Sequence, residues 1–366
     1  MRVSHKIIRK AVEQKDNDVR GKYRQFIGRK ITFILCSIFL LFFIFGLSAS
    51  LGSADITIWD AFAAFFHRFF PDHIRTTWLA ETCLWDLRLP RILLGSLTGA
   101  SLAIAGDVMQ GILKNPLASP YTLGISAGAG FGASLAIITG AGFIGSGGEY
   151  LIIGNTFIFG LLCSFIIFLL ASRKGATPET MILVGIAILY IFSAVIILLQ
   201  YFGEEEAVVE SIFWMVGGLD RASWDKVLIS GIMLLFCFPL LMLKSWDLNV
   251  MAAGDEVAKS IGINVKFVRI FILSITSLMV AGTICFTGTI GFIGLVAPHI
   301  TRMVIGGDNR FLIPASAIIG AVLLIGADVL ARNLITPVII PVGVITACMG
   351  GPLLLFLVMK RKKGYW

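Results

Sequence analysis

The sequence predicts an all-α polytopic membrane protein, and three observations predict it. Of its 366 residues, 57% are hydrophobic and 14% charged, with a mean hydropathy of +0.91, far from the balance of a soluble domain. The apolar residues fall into runs of about 20, the length a helix needs to cross a bilayer. Short segments of turn formers and basic residues separate the runs.

Ten such runs follow one another: 31–51, 92–113, 123–142, 151–170, 181–201, 227–243, 267–289, 290–304, 311–331 and 342–359, the eighth being short. The first is too long, and lies too far behind a charged segment, to be a cleaved secretory signal. Residues 1–30 are therefore expected to form a basic tail, 31–360 the membrane domain and 361–366 a second short tail. An even number of spans places both termini on one side. With that side cytoplasmic, 23 of the 30 Lys and Arg residues fall in inner segments, as the positive-inside bias requires. The net charge of +8 is then a property of the inner face and its contact with anionic lipid. Nothing resembles a basic nucleic-acid module with interleaved aromatics.

Five of the six cysteines lie within apolar runs and none forms a CxxC pair, so they read as small buried hydrophobes; the four histidines lack metal-ligand spacing. On the outer side lie the long segment 52–87 and the acidic stretch 203–206, followed by 208–218, too short to span and read as an interfacial or re-entrant helix. Small residues at 124, 128 and 132 give the third span a face for close helix packing. A weak echo relates Ser101–Gly106 to Ser277–Gly282, in spans of opposite direction.

Between the sixth and seventh spans lies a polar island, Met251 to Asn264. It reads as two short inner-face helices: Gly254 ends the first, the Asp255 carboxylate caps the second, and Gly262 stops it in a left-handed turn. A plain connection needs no such punctuation. The inner turns Lys114–Pro120 and Arg173–Pro178 are either simple connections or gates beside a pathway.

Arg88 and Arg91 flank Pro90 ahead of the second span, and Arg332 ends the ninth, all on the outer side. Two readings stand: snorkelling anchors with an Asp328–Arg332 pair at i, i+4, or a positive patch that receives the carboxylates of a soluble partner. The eighth span is interrupted by Gly291, Gly294 and Pro298, and broken helices often line a permeation path. His299 reads as a structural hydrogen-bonding residue. Asp107, inside the second span, reads either as a proton relay or as a packed residue hydrogen-bonded beside Gln110 and Gly111, the reading preferred here. No GxxxxGK[ST] loop occurs, so any ATPase driving this chain is a separate subunit.

These residues together resemble the FecCD family of binding-protein-dependent ABC permeases. The likeness is carried by Arg88-Leu-Pro-Arg91, Gly99–Ala103, Gly106, Gln110, Asn115-Pro116-Leu-Ala118, Pro120, Leu123-Gly124, Gly254-Asp255-Glu256-Val-Ala258 with Gly262, Gly288–His299 with Arg302, and Pro341–Thr346 before Gly351-Pro352. It covers about residues 31–360, with the motifs in order. It implies ten spans in the type II ABC importer permease fold (BtuC-like), a homo- or heterodimer around a central pathway, and two ATPase subunits that use ATP and Mg while this chain binds no cofactor or metal.

It further implies a role for each matching residue. Arg88, Arg91 and Arg332 would meet an extracytoplasmic substrate-binding protein. Ala253, Gly254, Asp255, Glu256, Ala258 and Gly262, within the coupling segment 248–266, would sit in a groove of the ATPase. Ala176, Thr177 and Pro178 would form an inner gate, and Gln110, Asn115, Pro116, Gly291, Gly294, Pro298 and His299 would build the pathway. Importers of ferric siderophores, haem, vitamin B12 and molybdate share the family, and a ferric siderophore is the expected cargo. The long basic tail and Asp107 depart from the pattern. An ion-coupled secondary transporter, using Asp107 and Asp328, is the rival reading.

Overall fold

The computed structural model describes residues 2–52, 56–143, 147–173 and 176–359, with side chains from residue 26 onward save those of 357 and 358. The C-terminal tail at 361–366 and residues 174–175 of the second inner turn lie outside the described residues.

In chain order the helices are α1 (Arg2–Ser50), α2 (Ile58–His67), α3 (Trp78–Thr82), a π-helical turn (Cys83–Arg88), α4 (Leu89–Leu113), α5 (Ile125–Thr139), α6 (Glu149–Arg173), α7 (Pro178–Phe202) and α8 (Glu205–Val216). There follow α9 (Trp224–Leu243), α10 (Ser245–Ala252), α11 (Asp255–Ser260), α12 (Val265–Thr287), α13 (Ile293–Ile305), α14 (Asn309–Asn333) and α15 (Val342–Met359). No strand is formed among the described residues; a lone bridge joins Ile335 and Val338. Among the described residues, seven helical stretches are long and apolar enough to span a bilayer, and α5, α13 and α15 are shorter apolar helices. α1 runs without a break from Arg2, across residue 30, into the first span.

Proline sets the entry to α4. Pro90 has no N–H and fits the first turn of a helix; here the turn before it is π-helical, which joins α3 to α4 as one stretch from Trp78 to Leu113. α4 is the axis of the fold. It packs against α14, α13, α12 and α9 and is buried along most of its length. Two seams make this possible: a Cβ added at Gly99 would lie 2.3 Å from the Gly320 carbonyl of α14, and one at Gly106 would lie 1.7 Å from the Gly294 carbonyl of α13. Any side chain there would force the helices apart.

The small face of the third span does the same work against α6, where Gly128 meets Phe159 and Cys163, and Gly132 meets Asn155. By contrast, the echoed segments do not make equivalent contacts. Gly106 abuts the backbone of α13, whereas Gly282 abuts the Met233 side chain of α9. Large apolar residues of α1, α7 and α9, such as Phe39, Tyr190 and Leu235, are exposed on the outside of the bundle, the composition of a lipid-facing surface.

Candidate functional site

Three arrangements carry chemistry, one at each end of the bundle and one between. At the end where α1 stops, the last-turn carbonyls have no intrahelical donors. Two arginines supply them: Arg88 donates to Ala49 O (2.6 Å) and Ser50 O (3.0 Å), and Arg332 donates to Leu51 O (3.0 Å), Ser48 O (3.2 Å) and Ser48 Oγ (2.6 Å). Arg91 donates through Nε to Asp328 Oδ1 at 2.9 Å. Arg332 Nε lies 3.0 Å from Asp328 Oδ2, an ion pair whose N–H is not aligned as a hydrogen bond.

The structure thus brings the three arginines to one end of the bundle, Arg91 and Arg332 on the Asp328 carboxylate and Arg88 on the end of α1, and Arg88 and Arg332 are buried. Two guanidiniums against the one Asp328 carboxylate leave an excess of positive charge. Arg91 reaches the surface as part of the wall of a 450 Å³ cavity, with Glu210, Trp214, Asp220 and Arg221.

Midway along the bundle, three interrupted elements meet. α8 ends at Gly217; the Gly218 N–H donates to Thr287 O (2.8 Å), and the Gly343 N–H donates to Gly217 O (3.3 Å). Thr289 Oγ1 donates to Met215 O. Residues 114–124 form no helix, and α13 starts only after Phe292, whose φ of +67° is left-handed. Irregular backbone at this depth is tolerated only where protein or a cavity satisfies it.

A 490 Å³ cavity is present, lined by Ser119, Tyr121, Thr122, Met215, Thr289 and Phe292 among others, and no charged side chain lines it. Gly291 also lines this cavity and packs on the Tyr121 ring. Around it stand the other pathway residues. Gln110 Nε2 donates to Gly294 O (3.4 Å), the Asn115 N–H donates to Gln110 O (3.2 Å), and Asn115 Oδ1 accepts from the Leu117 N–H (2.9 Å). Pro116 is half-buried in the same turn, Pro298 is buried within α13, and His299 is half-buried and engaged.

Asp107 is packed and hydrogen-bonded, and its partner comes from another helix. It is fully buried, and its Oδ1 accepts from Arg302 Nη2 of α13 at 2.9 Å rather than from Gln110 or Gly111. A carboxylate removed from water requires a cation or several donors. Asp107 and Asp328, the two coupling sites of the secondary-transporter reading, are therefore each engaged by arginine.

The polar island forms two short helices, α10 and α11, with Gly254 between them at φ +131° and Gly262 after them at φ +91°. The expected cap is corrected: Gly254 is the N-cap residue, and Asp255 makes no capping bond. Its carboxylate instead accepts two bonds from Arg269 Nη2 (2.8 and 2.7 Å) and pairs with Lys114 Nζ at 2.8 Å. Charge-assisted bonds to two cations outcompete a single backbone cap.

Partial burial works against ionisation of Asp255, but these bonds outweigh it and hold the carboxyl below its ordinary value. Arg269, buried in α12, also donates to Ile112 O (3.0 Å) and Ala176 O (3.3 Å). Ala176 is itself left-handed at φ +53°, and Thr177 caps α7 by accepting from the Thr180 N–H (3.3 Å), with Pro178 in the first turn. The outward face of the island consists of Ala253, Glu256, Val257, Lys259 and Ile261, all exposed; Ala258 is buried beneath them.

α10 is tied to the start of α14 in a second cluster. Asn249 Nδ2 donates to Asp308 Oδ1 (2.9 Å), Asn249 Oδ1 accepts from the Asn309 N–H (2.8 Å), and Lys30 Nζ, buried between the Phe26 and Phe311 rings, reaches Asp308 Oδ2 at 3.2 Å. Against the effect of burial, bonds from Arg310, Asn249 and Lys30 hold the Asp308 carboxyl well below the carboxylate range. The sequence reading missed Arg269, Lys114, Asn249, Asp308 and Lys30 as site residues. One signal was available: Arg269 sits a turn inside an apolar run, where an unpaired cation would be costly.

The chain matches the FecCD transport family over residues 39–360. It is 40% identical over 355 residues to a protein of Methanocaldococcus jannaschii named as an ABC transporter permease, covering 94% of this chain and 99% of that one. It is 36% identical over 295 residues to the hemin transport system permease protein of Yersinia pestis, covering 79% and 88%. Among solved structures, an inward-facing ABC transporter assigned to the metal-chelate type matches with a TM-score of 0.78 at 29% identity, covering 90% of this chain and 99% of that chain. The chain belongs to the FecCD transport family and is a multi-pass permease subunit of an ABC importer, moving cargo across the membrane while a separate partner hydrolyses ATP.

Proposed function

We propose that this permease imports an intact metal chelate, a ferric siderophore above all, delivered by an extracytoplasmic binding protein. The observation that carries the reading is the neutral 490 Å³ cavity at the broken helices, walled by small, aromatic and hydroxyl side chains. A bare cation needs hard oxygen or imidazole ligands to replace its hydration shell; a chelate already carries its ligands and needs a wall that does not hold it. Relatives bear names spanning hemin, ferric citrate, hydroxamate-bound iron, cobalamin and molybdate, and the first four are complexed metals.

The mechanism follows from the two ends. A second permease subunit, the same chain or a related one, completes the pathway. The binding protein docks at the face bearing Arg88, Arg91 and Arg332, with Arg91 and its cavity as the accessible part and the buried pair holding the platform. On the opposite face, where both termini lie in the cytoplasm, two ATPase subunits receive α10 and α11, and their ATP- and Mg-dependent closure moves the island. The turn at Ala176, Thr177 and Pro178 gates the inner exit. No cofactor or metal resides in the chain itself.

Proteoliposomes holding the permease with its ATPases test this, with the binding protein outside and ATP inside. Uptake of an iron-55-labelled ferric siderophore should require ATP and the binding protein and should ignore sodium and proton gradients. Uptake driven by an ion gradient without ATPase would overturn the reading. Uptake of haem, cobalamin or molybdate in place of the siderophore would redirect the cargo assignment alone.

A further inference from the structure

We propose that Arg269 is the positioning residue through which a displacement of α11 reaches the gate turn and the cavity wall. The proposal rests on reading the chain as an ATPase-driven permease. The Arg269 side chain is 3% exposed, and its donors are shared among three elements: Nη2 on both oxygens of Asp255 in α11, Nε on Ile112 O in the last turn of α4, and Nη1 on Ala176 O in the turn before α7. A guanidinium is planar, with donors at fixed angles. The fork cannot follow the Asp255 carboxylate while keeping both carbonyls unless those carbonyls move with it. An ammonium group, with freely rotating donors, transmits no such constraint.

Ala176 supplies a second, independent observation. It carries a Cβ yet lies at φ +53°, a conformation disfavoured for such a residue. Strain of this kind persists only where the surroundings over-determine it, and it gathers at switching regions. Here the Ala176 N–H donates to Ala171 O (2.7 Å) while its carbonyl is held by Arg269. Lys266 of α12 grips the same turn from its other side, donating to Ser172 O (3.1 Å).

The route continues upward from the turn. Thr177 caps α7, and two turns along that helix Gly185 abuts Leu123 and Thr122, beside the cavity that Tyr121 and Thr122 line. A Cβ at Gly185 would lie 2.9 Å from the Leu123 Cα, so α7 and this wall move together. Lys114, at the inner end of α4, adds a parallel link to Asp255.

The test uses the full complex of permease, ATPases and binding protein in proteoliposomes, with Arg269→Lys and Asp255→Asn. Two quantities are read: cargo imported per ATP hydrolysed, and the ATP-driven change in amide hydrogen exchange at residues 255–262 and at 176–185. In the wild type both segments should respond to ATP. In R269K the first segment should still respond and the second should not, with hydrolysis retained and cargo per ATP reduced about tenfold. D255N leaves the guanidinium on its two carbonyls, so it should lower the ratio by about threefold.

A merely structural arginine would lower stability and leave the ratio intact. Wild-type ratios with both segments responding in R269K would overturn the proposal. Should R269K fail to assemble, an unchanged ratio in D255N overturns it instead. If the wild-type complex shows no cargo-stimulated hydrolysis, the permease reading falls and this role falls with it; if the wild type couples and both variants couple equally, only the role of Arg269 falls.

Discussion

The charged clusters at the two ends of the molecule use the same residue types for different ends. At the end where α1 stops, Arg91 and Arg332 pair with Asp328, whose side chain is 2% exposed, and Arg88 and Arg332 hold the closing carbonyls of α1. Every member belongs to a long helix or to the turn leading into α4. At the island end, Asp255 and Asp308 are 26% and 21% exposed, and each joins a short helix, α11 or α10, to longer ones. Water reaches the carboxylates of the second set, whereas the Asp328 carboxylate of the first is closed to it. A charge pair closed to water is costly to break and so serves as a fixed platform; one open to water can be rearranged at moderate cost and so serves as a linkage. Residue type alone does not separate platform from linkage.

Removing the two carboxylates in turn is the strongest challenge to that contrast. Asp328→Ala should destabilise the folded chain by about 3–5 kcal/mol, because it leaves the buried Arg332 guanidinium, and Arg91 beside it, without their shared carboxylate. Asp255→Ala should cost only about 1–2 kcal/mol, since the vacated space admits water to Arg269, which keeps its two carbonyl acceptors. Thermal unfolding in detergent compares them, and equal losses would erase the distinction.

Acid should loosen the linkage selectively. The Asp255 and Asp308 carboxyls are both held below the ordinary value of 3.8. A depressed carboxyl contributes stability that is present above the unfolded value and lost as pH falls through the folded one. Hydrogen-exchange protection of α10 and α11 should therefore decline below a pH of about 4, ahead of α4. If α4 loosens first, the Asp255 and Asp308 carboxylates are not what holds the island.

A smaller effect concerns Arg91, the accessible member of the platform. Arg91→Ala should weaken binding-protein docking about tenfold and flatten its salt dependence. Unchanged docking at low salt would remove Arg91 from that interface. The smallest effect belongs to Lys259, exposed and paired with Glu256 one turn away. Lys259→Ala should leave the melting temperature unchanged and register only as weaker ATPase association in a pull-down.

Much of the fold was legible because lipid imposes one rule on long runs of residues. The seven long spans, the short eighth run and the short helix near 208–218 all follow from apolar length. The positive φ of Gly262 and the break at Gly254 were legible as well, because glycine between helical segments leaves few alternatives. What escaped was long-range pairing. Arg302 lies 195 residues from Asp107, and Arg269 lies 157 from the Ile112 carbonyl it holds; no local pattern encodes such partners. Asp255 shows the same limit at short range, since the local rule for caps predicted one bond and tertiary cations took the carboxylate instead. Arg88, Arg91 and Arg332 gather at one end of the bundle, but the burial of Arg88 and Arg332 was not legible, because the α1 carbonyls that they hold are known only once α1 ends beside α4 and α14.

The central claim is that the island converts ATP hydrolysis into transport, and its most direct test is cargo imported per ATP hydrolysed. The measurement compares the wild-type complex with the double variant Asp255→Ala, Glu256→Ala, which removes one carboxylate from the Arg269 linkage and one from the exposed face. A clear fall in the ratio, with hydrolysis by the ATPases continuing, is the predicted result. An unaltered ratio would contradict the account.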